Sequence, residues 1–92
     1  MIRSFADKAT QRLWTHERTR PYGTAARAAL RKLIQLNAAG KLDDLRMPPG
    51  NRLEPLTGTR SGQHSIRINR QWRICFLWKE GDAHDVEIVD YH

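Results

Sequence analysis

Ninety-two residues, 39% hydrophobic and 28% charged, predict one domain over 1–92 with a thin core. That excludes a two-domain enzyme or a dinucleotide-binding fold, and the lone Cys75 excludes an internal disulfide or a cysteine-based metal cluster. Sixteen Lys and Arg against ten Asp and Glu leave a net charge of +6, pointing to nucleic acid or an acidic protein as partner. The excess is uneven: residues 1–78 carry +10 and residues 79–92 carry −4. Nearly all the cations are arginine, whose planar fork suits phosphate. The longest apolar run, Ile74 to Trp78, is far shorter than the ~18 residues of a membrane span. No apolar stretch follows Met1 as a secretory signal would require. No membrane partner is expected, and the predicted location is cytoplasmic.

In chain order, Ile2 to Phe5 alternates like a short edge strand. Ala6, Ala9 and Leu13 recur at helical spacing, predicting a helix from Asp7 to about His16. Arg20-Pro21-Tyr22-Gly23 breaks it. A second helix should run from an N-cap at Thr24 to Ala39, with Gly40 as its stop. Its apolar face is Ala26, Ala29, Leu30, Leu33, Ile34 and Leu36, with Arg27 and Arg31 on the other side. Pro48-Pro49-Gly50 forbids helix in the connector that follows. Arg52 to Leu56 reads as an edge strand because of Pro55, and Thr57 to Gly62 as a polar loop. His64–Ile68, Trp72–Trp78 and Ala83–Val89 are strands, separated by turns at Asn69-Arg70-Gln71 and Glu80-Gly81-Asp82. The predicted fold class is α+β, with two N-terminal helices on one face of an antiparallel sheet.

Strand parity then sorts the side chains. Trp72, Ile74, Phe76 and Trp78 share the helix-covered face, so Arg73 should stand on the opposite, open face. Arg67 and Tyr91 fall on that side by the same argument. Arg52, Arg60, Arg67 and Arg70, on or beside this face, are the candidate RNA-binding cations. The same residues also describe an ordinary solvated sheet face.

Chemistry-bearing motifs are few. His16, His64, His84 and His92 include no i, i+4 pair, and no metal site is expected. There is neither a phosphate-cradling glycine loop nor a serine nucleophile elbow. Asp90-Tyr91-His92 remains, joining a carboxylate to the side chain best matched to proton transfer at neutral pH.

Four stretches carry a resemblance that spans the chain and is strongest over residues 62–92. They are Gly62-Gln63-His64-Ser65-Ile66-Arg67-Ile68-Asn69, Gln71-Trp72-Arg73-Ile74-Cys75-Phe76, Gly81-Asp82-Ala83 and Asp85 to His92, and Met1 to Phe5 and Arg52 to Gly58 fit as well. They resemble the HigB toxins, the host-inhibition branch of the RelE/ParE superfamily of type II toxin–antitoxin systems. The resemblance implies a twisted antiparallel sheet covered by two helices. It also implies a ribosome-dependent endoribonuclease that cuts messenger RNA without a metal or other cofactor. The implied partners are the ribosome, messenger RNA and a helix-turn-helix antitoxin of the HigA type. Operator DNA would be met only through that antitoxin.

Carried over by position, the catalytic candidates are Arg73, Asp90, Tyr91 and His92, with Glu54 where some members have histidine. Thr57 stands where a lysine is usual, which removes one phosphate contact. The implied reaction is attack of an RNA 2′-hydroxyl on its own phosphorus. One proton must be removed, another supplied, and the phosphorane charge stabilised. Strand parity sets Asp90 and His92 opposite Tyr91 and Arg73, so this site requires the last residues to bend. Two other readings fit the same features: a non-catalytic RNA- or ribosome-binding module, and a gyrase poison of the ParE kind.

Overall fold

The computed structural model describes residues 1–15 and 21–91. Among them, helices α1 (Lys8–Trp14) and α2 (Ala26–Ala38) precede an antiparallel sheet. Its strands are β1 (Glu54–Pro55), β2 (His64–Arg67), β3 (Trp72–Lys79) and β4 (Asp82–Asp90), in the spatial order β1-β2-β3-β4. This is the predicted α+β arrangement. Leu13 of α1 and Ala29, Leu33 and Leu36 of α2 join Ile66, Ile74, Phe76, Val86 and Ile88 of the sheet in one apolar core.

Helix α1 starts where an acidic cap places it: the Asp7 carboxylate accepts from the Thr10 N–H at 3.4 Å. Its buried residues are Thr10 and Leu13, whereas Ala6 is exposed. The predicted end at His16 lies outside the described residues. Thr24 does not cap α2. Residues Gly23–Ala25 form a 3₁₀ turn that leads directly into the helix, and no side chain caps it. The helix does end before Gly40, but Ala39 takes an extended conformation and Gly40 is not left-handed. Ile34, expected on the inner face, is 51% exposed. At about 100° per residue it lies well round the helix from the buried Ala29–Leu33–Leu36 stripe. The connector, expected to be free of helix, holds two short 3₁₀ segments, Leu42–Arg46 and Pro49–Asn51. The second begins on proline, where a missing N–H costs nothing.

Tyr22, read from the sequence only as part of a helix breaker, belongs to the core. Its ring meets Trp72 edge-on at 5.3 Å, and its hydroxyl lies 3.2 Å from Thr10 Oγ1. The same Thr10 oxygen accepts from the Ile88 N–H at 3.0 Å, so one buried hydroxyl ties α1 to β4 and to the start of α2. Burial pushes the Tyr22 phenol above its ordinary pKa, more than the Thr10 hydrogen bond lowers it. Tyr22→Phe is expected to cost about 1 kcal/mol, the net worth of one buried hydrogen bond, read as a lower urea midpoint at constant m-value.

The sheet follows the predicted strands with two local differences. The β3–β4 turn places Glu80 and Gly81 both at positive φ (53° and 80°), as a two-residue turn matched to strand twist requires. Further along, the register slips between Cys75 and Leu77, and Asp85 takes a φ of 51°. This bulge lets Ala83, Val86 and Ile88 all reach the core, which strict alternation forbids. The expected edge strand at Ile2–Phe5 is reduced to two parallel bridges, Ile2 with Ala83 and Phe5 with Val86. They close the outer edge of β4. At the other edge, Pro55 restricts pairing.

Candidate functional site

Register places one row of side chains across the face away from the helices: Glu54, Ser65, Cys75 and Glu87 are successive cross-strand partners. The next row is Arg67, Arg73 and Val89. Parity therefore puts Arg73 opposite Ile74, as the sequence predicts. The expectation of an open face is overturned. Arg73 is only 6% exposed, because the segment entering β1 and Tyr91 close over it.

Nε, Nη2 and the face of this guanidinium have defined neighbours. Nε donates to Ser65 Oγ at 2.9 Å, and Nη2 donates to the Arg52 carbonyl at 2.8 Å. Nη2 also lies 3.4 Å from the Glu54 carboxylate. The Tyr91 ring lies 5.3 Å from the guanidinium carbon, within cation–π range. Among the described residues, Nη1 makes no hydrogen bond. Arg52 itself is left-handed, with φ 47° and ψ 55°, an uncommon conformation for a residue with a side chain.

The structure thus brings together Arg73, Glu54, Tyr91 and the Arg52 backbone. It does not bring Asp90 to them. Strand β4 stays paired to its end, with Asp90 opposite Trp72 on the helix-facing side. There the Asp90 carboxylate accepts from Gln71 Nε2 at 3.1 Å. Tyr91 is half-exposed and anchored by its N–H to the Gln71 carbonyl at 2.6 Å. His92 lies outside the described residues.

The other cations divide. Arg52 and Arg70 have exposed side chains. Arg67 donates from Nε to the Asn69 carbonyl at 3.1 Å and stays partly exposed beside Arg73. Arg60 sits further along the face, on a 3₁₀ turn (Gly58–Arg60). It is held by Gln63 Oε1 at 3.1 Å and by an ion pair to Glu87 at 3.1 Å. Cys75 is fully buried on this face. Burial pushes its thiol pKa up despite the positive charges of Arg60 and Arg73, so it is a poor nucleophile. Among the described residues, no cluster of three His, Cys, Asp or Glu side chains is placed to hold a metal ion. No helix there is long and apolar enough to cross a membrane.

Sequence reasoning missed two residues that build this site. Ser65 was legible in principle, since parity puts it on the Arg73 face. Asn51 was not. It is fully buried in a connector where polar residues ordinarily face solvent.

Comparison with known proteins bears on the whole chain. Residues 3–92 match a family model described as "RelE-like toxin of type II toxin-antitoxin system HigB". Over 56 residues, 61% of this chain and 59% of the other, it is 52% identical to Toxin HigB-1 of Vibrio cholerae. Over 41 residues, 45% of each chain, it is 44% identical to Endoribonuclease HigB of Proteus vulgaris. These matches span about half the length of the curated relatives. Among solved structures, YoeB in the YoeB–YefM complex of Staphylococcus aureus aligns over all of this chain and 98% of its own. That match has a TM-score of 0.58 at 14% identity. A point mutant of YafQ from E. coli aligns over 98% of this chain and 93% of its own, with a TM-score of 0.57 at 12% identity. At such identities these two speak for the fold alone. The match over residues 3–92 speaks for more: this chain belongs to the HigB family of RelE-like toxins of type II toxin–antitoxin systems.

Proposed function

We propose that this protein is an endoribonuclease toxin that cuts messenger RNA on the ribosome by activating the RNA's own 2′-hydroxyl. The observation that carries this reading is the Arg73 guanidinium, preset by Ser65 and Arg52 between a carboxylate and an aromatic ring. A donor fork fixed before substrate arrives stabilises a phosphorane without having to reorganise during the reaction. Endoribonuclease HigB of Proteus vulgaris supports the activity by its name.

The steps balance with side chains alone. A base takes the 2′-hydroxyl proton, and the oxygen attacks the adjacent phosphorus. The leaving 5′-oxygen is protonated, giving a 2′,3′-cyclic phosphate and a 5′-hydroxyl end. Arg73 holds the phosphorane oxygens. Glu54, the carboxylate beside Arg73, is the base of this reading, and His92 is the acid. Tyr91, half-exposed above Arg73, stacks on an unstacked base. Asp90, turned to the other side of β4, has no step in it. Arg52, Arg67 and Arg70 contact backbone phosphates, and Arg60 does so only by leaving Glu87.

The reading includes a cytoplasmic setting and a helix-turn-helix antitoxin of the HigA type. Family membership supports an antitoxin as such. The test is primer extension on a transcript incubated with the protein, with and without ribosomes. New 5′ ends only in the translated sample are expected. Ends in both samples would remove the ribosome requirement, and ends in neither would overturn the enzymatic reading.

Glu54 allows a narrower test. Its carboxylate competes with phosphate for Arg73, so Glu54→Gln should tighten RNA binding. If it is the base, the same change lowers single-turnover cleavage by about 10²-fold. Tighter binding with unchanged cleavage would assign Glu54 to holding Arg73 alone.

A further inference from the structure

Upstream of Arg73, the connector from α2 into β1 is built around one buried side chain. Asn51 is fully buried, and its whole carboxamide is used. Oδ1 accepts from Lys32 Nζ at 2.5 Å. Nδ2 is within hydrogen-bond range of the Leu45 carbonyl at 3.1 Å, Gln35 Oε1 at 3.2 Å and the Met47 carbonyl at 3.3 Å. Gln35 in turn donates to the Met47 carbonyl at 2.5 Å. Two side chains of α2 and two backbone carbonyls of the connector thus meet on Asn51.

The next residue is the left-handed Arg52. That conformation persists in a residue with a side chain only where the surroundings over-determine it. Here two contacts on its N-terminal side do so. Asn51 is clamped before it, and the N–H of Arg52 donates to the Pro49 carbonyl at 3.1 Å. The consequence is a carbonyl aimed at Arg73 Nη2, 2.8 Å away. A second acceptor set by local strand pairing, Ser65 Oγ, takes Nε. With Ser65, the half-exposed Glu54 and the half-exposed Tyr91 ring left, no fixed acceptor holds Nη2, and the guanidinium plane can rotate about the Nε contact.

We propose that Asn51 is a positioning residue for Arg73: it holds Arg52 left-handed, and the Arg52 carbonyl fixes the plane of the guanidinium. The inference deepens the endoribonuclease reading and rests on it for its catalytic consequence, but its structural half stands independently. Lys32 and Gln35 make α2 the rigid support of this chain of contacts.

The experiment has two readouts on wild type, Asn51→Ala and Lys32→Met. The first is hydrogen exchange of the Arg73 Nε–H by proton–nitrogen NMR, its signal identified by its loss in Arg73→Lys. The second is single-turnover cleavage of ribosome-bound transcript, separated into rate at saturation and half-saturating concentration. Asn51→Ala is expected to speed Nε–H exchange about tenfold and to lower the saturating rate about tenfold. Half-saturation should stay within about twofold, as befits a misplaced group rather than a lost contact. Lys32→Met, which removes one of the hub's contacts, should move both in the same direction by less. It decides the question if Asn51→Ala fails to fold. Unchanged Nε–H exchange in either folded variant overturns the proposal. Faster exchange with no cleavage even by wild type would uphold the positioning of Arg73 and reject the endoribonuclease reading instead.

Discussion

Arg73→Lys is expected to lower single-turnover cleavage of ribosome-bound messenger RNA by about 10²–10³-fold, the scale of losing one preset donor to a developing oxyanion. Lysine keeps the positive charge, so binding driven by charge alone should weaken little. It cannot donate in one plane to Ser65 Oγ, the Arg52 carbonyl and a phosphate together. Lysine is the better probe than alanine because Arg73 is buried. Alanine would leave Ser65 Oγ and the Arg52 carbonyl without their donor and open a void, costing about 1–3 kcal/mol. Lost activity in Arg73→Ala would therefore mix chemistry with unfolding. Thermal melts run beside the kinetics separate the two. A folded Arg73→Lys protein cutting at the wild-type rate would remove Arg73 from the phosphorane.

His92→Gln is the second large effect expected, a loss of about 10²–10⁴-fold in cleavage, the range for removing a general acid or base. Glutamine can hydrogen-bond but cannot exchange a proton at neutral pH, so it tests the proton and not merely the contact. The neighbouring Tyr91 is held by the Gln71 carbonyl and lies against Arg73. Those contacts are backbone and ring contacts that His92→Gln leaves untouched, and the melting temperature should not move. The chain shortened to end at Tyr91 should match His92→Gln. Wild-type rates in both would pass the leaving-group proton to another donor, and Tyr91→Phe would be measured next.

The pairing of Glu54 with Arg73 means that a substitution at one of them also acts on the other. A carboxylate engaged with a guanidinium in the free protein must separate from it before it can act as base toward an RNA bound there. Mutating either partner therefore changes the other's surroundings, and their effects should not add. A double-mutant cycle on Glu54→Gln and Arg73→Lys measures that coupling directly.

Local pattern alone determined much of this protein. Apolar spacing located α1 and α2, alternation located β2, β3 and β4, and Gly81 marked the turn between the last two. These depend on periodicities of 3.6 and 2 that neighbouring residues impose on one another. Parity also assigned Arg73, Arg67 and Tyr91 to the face away from the helices, and it set Asp90 opposite them. The basic charge pointed to nucleic acid or an acidic partner, and the motifs across residues 62–92 carried the resemblance to the toxin family. Tertiary structure decided what covers each face, because alternation tells which side a residue points to and nothing about what folds over it. The burial of Arg73 comes from Arg52, 21 residues earlier, and from Tyr91 after it. Tyr22 entered the core because Thr10 and Trp72 offered it a hydrogen bond and a ring edge. Asn51 became a hub because α2 and the connector meet there, and their polar groups satisfy a carboxamide that would otherwise be buried unpaired. Contacts between residues so far apart in the chain leave no period in the sequence to read.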